Sequence, residues 1–190
     1  MPRALPVLAV LALLPAVHAA PVPKSAEAYF PTKVGARWVY DGGDGKEEVK
    51  TVTKTEATAD GVMVTVAGEG PGGRAGDTST VRVARDGVFV HAERGETFDP
   101  PACLLKLPAG AGDAWDFLGG KEKLRMTVAG VEAVEVPAGK YTAVRVDMTG
   151  TAGGTTVKAT GWYAPGVGLV KATQGGKTVT VLKSFTPGRD

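Results

Sequence analysis

One pattern occurs twice in this chain at a fixed separation: Phe30-Pro31-x-x-x-Gly35-x-x-Trp38-x-Tyr40 and Leu107-Pro108-x-x-x-Gly112-x-x-Trp115-x-Phe117. Proline, glycine, tryptophan and the final aromatic are each displaced by the same 77 residues. Each residue type has a physical use at its place. Pro fixes the approach of the chain, Gly accepts a backbone conformation closed to residues with a Cβ, and Trp supplies a large apolar anchor. Two readings stay open: a duplicated structural unit, or two independent uses of one good way to lead into a strand. Both place β structure immediately after each copy.

The rest of the chain agrees with that placement. Val62, Val64 and Val66 share a face at period two, as do Thr142, Val144, Val146 and Met148. Asp86-Gly87 separates two β-prone runs, a strong hairpin signal because Gly accepts the positive φ of tight turns. Gly153-Gly154, Pro165-Gly166-Val167-Gly168 and Gly175-Gly176 mark later turns. The chain has no Ile and no Asn, so Val carries most of the aliphatic burden and no N-glycosylation acceptor exists. No segment holds an apolar stripe of helical period over three turns. The expected fold is all-β or nearly so: about ten strands in a strongly curved antiparallel sheet, half-barrel or barrel-like, in two related halves. The halves are 29–106 and 107–186, packed as one domain. Residues 46–56, charged and weakly alternating, read as an exposed edge strand. Residues 68–76, with five glycines, read as a flexible loop. Residues 96–107, with Pro100 and Pro101, read as a linker or plug holding at most one helical turn.

The N-terminus has the form of a secretory signal. Arg3 supplies a positive n-region, residues 5–17 an apolar stretch, and Val17-His18-Ala19 a cleavage motif, giving a signal peptide over 1–19. Pro6 and Pro15 interrupt a stretch already too short to span a bilayer. A proline-rich tether, 20–28, follows, and the mature chain is expected to be secreted or periplasmic, with no integral membrane segment. It would carry 21 bases against 20 acids, scattered rather than clustered. Binding to nucleic acid needs several bases on one face, so no such partner is expected. Cys103 is the only cysteine, and its apolar neighbours Ala102, Leu104 and Leu105 favour a buried, inert thiol.

No catalytic constellation emerges. His91 is the only histidine after signal removal, and neither Ser79 nor Ser184 sits in a Gly-x-Ser-x-Gly turn. A zinc site built on His91 and Cys103 would still need two carboxylates. Asp41-Gly-Gly-Asp44-Gly45 offers two carboxylates where calcium wants six to eight oxygens, and reads as a hairpin turn. Residues 68–76 lack the Lys-Ser/Thr of a phosphate loop. Glu132 and Glu135 point to opposite faces of a strand and are no acid/base pair. Neither enzyme activity, cofactor nor metal is expected. The remaining candidates are aromatic: Trp38, Tyr40, Trp115, Phe117, Trp162 and Tyr163 at strand starts and ends, able to line an apolar cleft in a curved sheet. The first expectation is a noncatalytic domain of monomeric or weakly oligomeric state, binding an apolar small molecule, a lipid or a protein partner in a concave face. The second is a structural or adhesion module that associates through the edge at 46–56.

Three motifs together, Tyr29-Phe30-Pro31-x-x-Val34-Gly35-x-x-Trp38-x-Tyr40, Val136-Pro137-Ala138-Gly139-Lys140-Tyr141 and Trp162-Tyr163-Ala164-Pro165-Gly166-Val167-Gly168-Leu169-Val170-Lys171, span most of the mature chain. They resemble a broad group of uncharacterised secreted bacterial proteins. Members look similar to the curved half-barrel of periplasmic lipoprotein carriers and sigma-factor regulators of the LolA/RseB type. That resemblance implies a fold more than an activity. This chain departs from the carriers in lacking helices to plug the barrel. A lipocalin is not matched, since its Gly-x-Trp spacing differs from Gly35-x-x-Trp38, and aromatic girdles of an outer-membrane barrel are missing.

Overall fold

The computed structural model describes residues 29–189 apart from 44, 71–72 and 120–121. The signal peptide and the tether therefore lie outside the described residues. Twelve strands follow one another: β1 (Arg37–Asp41), β2 (Glu47–Thr58), β3 (Gly61–Gly70), β4 (Arg74–Ala84), β5 (Gly87–Glu93), β6 (Glu96–Lys106), β7 (Ala114–Gly119), β8 (Glu122–Val136), β9 (Gly139–Ala152), β10 (Thr155–Ala164), β11 (Gly168–Gln174) and β12 (Lys177–Thr186). They form a single antiparallel sheet in the order β6-β5-β4-β3-β2-β1-β12-β11-β10-β9-β8-β7, nearly closed into a barrel. The all-β, strongly curved architecture is as the period-two pattern predicts. Among the described residues no helix is long and apolar enough to cross a membrane.

Four local expectations are corrected. Among the described residues the strands number twelve rather than about ten. Residues 46–56 are no edge: β2 pairs with β1 on one side and β3 on the other. Residues 68–76 belong mostly to the β3–β4 hairpin, where Glu69 pairs with Ala75. Residues 96–107 form strand β6, with Pro100 and Pro101 inside it. Both prolines are tolerated there because β6 is an edge strand and its pairing with β5 skips from Val90–Ala102 to Ala92–Thr97, so neither missing N–H breaks a ladder.

Both repeated patterns lead into their strands through the same contacts. Gly35 (φ +84°) donates its N–H to the Val52 carbonyl at 2.8 Å, and the Val52 N–H donates to the Ala36 carbonyl at 2.8 Å. Gly112 (φ +89°) donates to Val128 at 2.8 Å, and Val128 to Asp113 at 2.9 Å. The positive φ is why glycine is required at both places. A register shift follows each valine, between Val52 and Lys54 and between Val128 and Gly130.

The core is the inner wall of the barrel. Val52, Val64, Val83, Val88, Val128, Val144, Val146, Val170 and Leu182 are fully buried there, and no charged side chain is. In a chain with no Ile, Val at alternate positions suits the pleat.

Candidate functional site: a cavity inside the barrel

Odd-numbered strands run toward one end of the barrel and even-numbered strands return, so every turn lies at one of two ends. The end holding 107–113, 137–138 and 165–167 is closed from within. Tyr29 and Phe30 pack there before β1 begins, and Phe30 lies against Trp38 with ring centroids 5.9 Å apart. Trp38 donates its Nε1–H to the Val167 carbonyl at 2.7 Å, which draws the β10–β11 turn over the floor. The Ala138 N–H donates to Leu182 at 3.2 Å and ties the β8–β9 turn to β12. Thus loops and the N-terminal segment fill the place a plugging helix would take.

Above this floor lies a cavity of about 240 Å³. At roughly 30 Å³ per water in the liquid, it has room for about eight water-sized atoms. Its floor is Tyr29, Phe30, Trp38, Leu105 and Val167; its walls include Val66, Val81, Val90 and Tyr163. Leu104 of β6 and Phe117 of β7 reach it from the two edge strands. Glu48, Lys50, Ser79, Glu93 and Thr180 are its polar lining. Glu48 and Lys50, two apart on β2, point to the same face and form an ion pair at 3.4 Å. A smaller recess beside them adds Asp77 and Arg94, themselves paired at 3.3 Å.

Three phenols face this interior and burial raises the pKa of each. For Tyr40 burial is the main cause, helped by Glu48 and Tyr163; for Tyr163 it is burial, then Cys103. Tyr29 is pushed up to about 12 by burial alone. All three therefore stay neutral at physiological pH. Tyr40 donates its hydroxyl to the Leu169 carbonyl at 2.8 Å. The Tyr29 hydroxyl is buried and has no partner among the described residues.

Of the six aromatics singled out from the sequence, Trp38, Tyr40, Phe117 and Tyr163 line the cavity. Trp115 does not. It is buried beside the cavity and donates Nε1–H to the Cys103 carbonyl at 2.9 Å, linking β7 to β6. Trp162 is on the outer face, since strand alternation that turns Tyr163 inward turns its neighbour out. Its Nε1–H donates to Glu132 at 2.6 Å and the Lys171 ammonium lies 5.2 Å from its ring centroid. Sequence reasoning missed Tyr29, Glu48, Lys50 and Glu93. The weak alternation of 46–56 was the available signal: charges at inward positions of an interior strand line an opening.

The other candidates stay dispersed. Among the described residues no three His, Cys, Asp or Glu side chains gather as a metal site needs. The Asp41 carboxylate accepts from the Gly43 and Gly45 amides at 2.8 and 3.2 Å, as a turn residue does. His91 has a lowered pKa, first from burial and then from Arg82, with Asp60 opposing. The Cys103 thiol is pushed up to about 11, mainly by burial and next by Asp86.

No protein-family model and no curated protein sequence matches the chain. Two crystal structures share the fold. One is a Bacteroides fragilis protein predicted to be exported and described as having a YmcC-like fold: TM-score 0.53, 16% identity, 86% of this chain and 100% of that one covered. The other, from Parabacteroides distasonis, is predicted to be a lipoprotein: TM-score 0.54, 17% identity, covering 87% and 100%. At such identities the likeness concerns the fold alone.

Proposed function

We propose that this chain is an exported, noncatalytic β domain that holds a small apolar molecule in the barrel cavity. One observation carries the reading: about 240 Å³ of interior bounded by aromatic and valine side chains, with charge along part of its lining. Binding sites of small molecules are of this kind, concave and largely apolar with a few polar groups. Packing explains the rest of the interior but not this part of it, because folded cores leave few voids larger than a water. The volume is below the roughly 300–1,000 Å³ usual for drug-sized ligands. A compact molecule or a single short chain fits; a two-chain lipid does not, so carriage of whole lipids in the manner of the LolA type is not part of the reading. Export is supported by the signal sequence and by the two structural neighbours, one predicted to be exported and the other to be a lipoprotein. The matched strand lead-ins support two related halves. The edge-pairing alternative has lost its segment, since β2 is paired on both sides.

Native mass spectrometry of residues 20–190, exported and purified without detergent, tests this. A reproducible mass excess that solvent extraction returns as a small apolar compound is the expected result. A bare mass, together with no binding of small aromatic or aliphatic probes, would overturn it.

A further inference from the structure

The floor of the cavity holds a group that packing alone leaves unexplained. Tyr29 is 1% exposed, lines the cavity, and its hydroxyl has no partner among the described residues. Two neighbouring polar tips at this end are satisfied internally: Trp38 Nε1–H on Val167, Tyr40 hydroxyl on Leu169. A buried hydroxyl without a partner is costly, and a phenylalanine would fill the same space without that cost. The Tyr29 backbone lies close against the β10–β11 turn, where a Cβ on Gly168 would stand 3.1 Å from the Tyr29 carbonyl oxygen. The phenol is neutral, so it offers one O–H donor.

We propose that the ligand carries a neutral hydrogen-bond acceptor, a carbonyl or ether oxygen, which accepts from the Tyr29 hydroxyl at the floor. This rests on the cavity being a ligand site. The charges near the cavity narrow the class further. Glu48, Glu93 and Asp77 outnumber Lys50 and Arg94. A carboxylate would meet net negative charge there and would lose its hydration on reaching the apolar floor. The occupant is therefore a compact neutral carbonyl or ether compound, seated acceptor-first, rather than a fatty acid.

Three probes of nearly equal shape test it by calorimetric titration: acetophenone, cumene (which replaces the carbonyl by a branched carbon) and benzoate. Wild-type protein is compared with Tyr29→Phe. The variant is expected to weaken acetophenone about three- to tenfold, the worth of one neutral hydrogen bond, and to leave cumene unweakened. Benzoate is expected to bind weakest to wild-type protein. Equal effects of the variant on acetophenone and cumene, or none on either, would overturn the inference while leaving the cavity a ligand site. Failure of all three probes to bind wild-type protein would overturn the cavity reading and this one with it. Should the variant not fold, the carbonyl stretch of acetophenone bound to wild-type protein decides. A shift to lower frequency than in alkane is expected, and an alkane-like frequency would refute the bond.

Discussion

Val52 and Val128 occupy the same place behind the two Gly-Trp lead-ins, and immediately before them the interiors part. Two residues earlier Lys50 stands where the second half has Met126, and four earlier Glu48 stands where it has Leu124. The sheet register extends the contrast. Gly68 faces Lys50 across β2–β3, whereas Met148 faces Met126 across β8–β9. Val81 pairs with Val64, whereas Tyr163 pairs with Val144. The second half is thus filled by long apolar and aromatic side chains, with Gly161 leaving the room that the Tyr163 ring takes. The first half has short side chains and a charged pair at the matching points, and the cavity lies against it. A hollow in a barrel this size needs no unusual backbone. It needs small residues along one wall, and charges that must keep contact with water.

Copying the filled pattern onto the hollow half is the strongest way to break this comparison. Glu48→Leu with Lys50→Met should abolish probe binding, at least about 30-fold, or roughly 2 kcal/mol. It should also raise unfolding free energy by about 1–3 kcal/mol through apolar burial. Acetophenone titration and urea denaturation read the two effects. Undiminished binding would mean that these positions do not shape the cavity.

Single alanines give the next largest contrast. Met126 is 1% exposed, so Met126→Ala should cost about 2–5 kcal/mol. Lys50, whose side chain is 36% exposed in its pair with Glu48, should lose no more than about 0.5 kcal/mol on Lys50→Ala. Equal costs in denaturant melts would show that the two matching positions have the same packing after all.

The fold was legible because it rests on short-range rules. Period-two valines, glycine turns and the doubled Gly-x-x-Trp mark strands wherever they occur, and the hairpin signalled by Asp86-Gly87 joins β4 to β5, with Arg85 and Asp86 as its turn and Gly87 paired with Ala84. The misreadings share a cause. The composition of 46–56 and 96–107 is local, whereas edge or interior status depends on which distant strand lies alongside. β1 pairs with β12 across more than a hundred residues, and that pairing encloses β2. For the site, tryptophan content pointed at Trp162, yet one step of strand alternation decides between Tyr163 inside and Trp162 outside. Tyr29 carried no local signal, because its importance lies in a hydroxyl left without a partner by the rest of the fold.

A second comparison concerns the two places where the halves meet. β1 and β12 are joined by backbone pairs from Arg37–Thr186 to Asp41–Val181. β6 and β7 are the free edges of the sheet, and Trp115 Nε1 on the Cys103 carbonyl crosses between them. Amide hydrogen exchange should accordingly be faster in β6 and β7 than in β1 and β12. Trp115→Phe removes the crossing bond at about 1 kcal/mol and should speed exchange in those two strands alone. Trp38→Phe leaves the Val167 carbonyl buried without its donor, costs about 1–3 kcal/mol, and should leave the β6–β7 rates unchanged. Matching exchange in both junctions would erase the distinction.

Cys103 supplies the smallest and most local reading of that junction, because it lies on β6 beside the crossing bond. Its thiol rises from 9.0 to about 11, chiefly through burial. The folded chain therefore keeps the proton in a range where the unfolded chain has lost it. The resulting stability is complete below about pH 9 and is lost as pH climbs through about 11. Cys103→Ala should flatten that part of the stability profile. Since the thiolate is the reactive species, alkylation of wild-type protein at pH 8 should be slow, and Trp115→Phe should accelerate it severalfold by freeing the edge of β6. Acceleration by Trp38→Phe to the same degree would show that labelling follows global unfolding, and that the β6–β7 junction is no weaker than the hydrogen-bonded one.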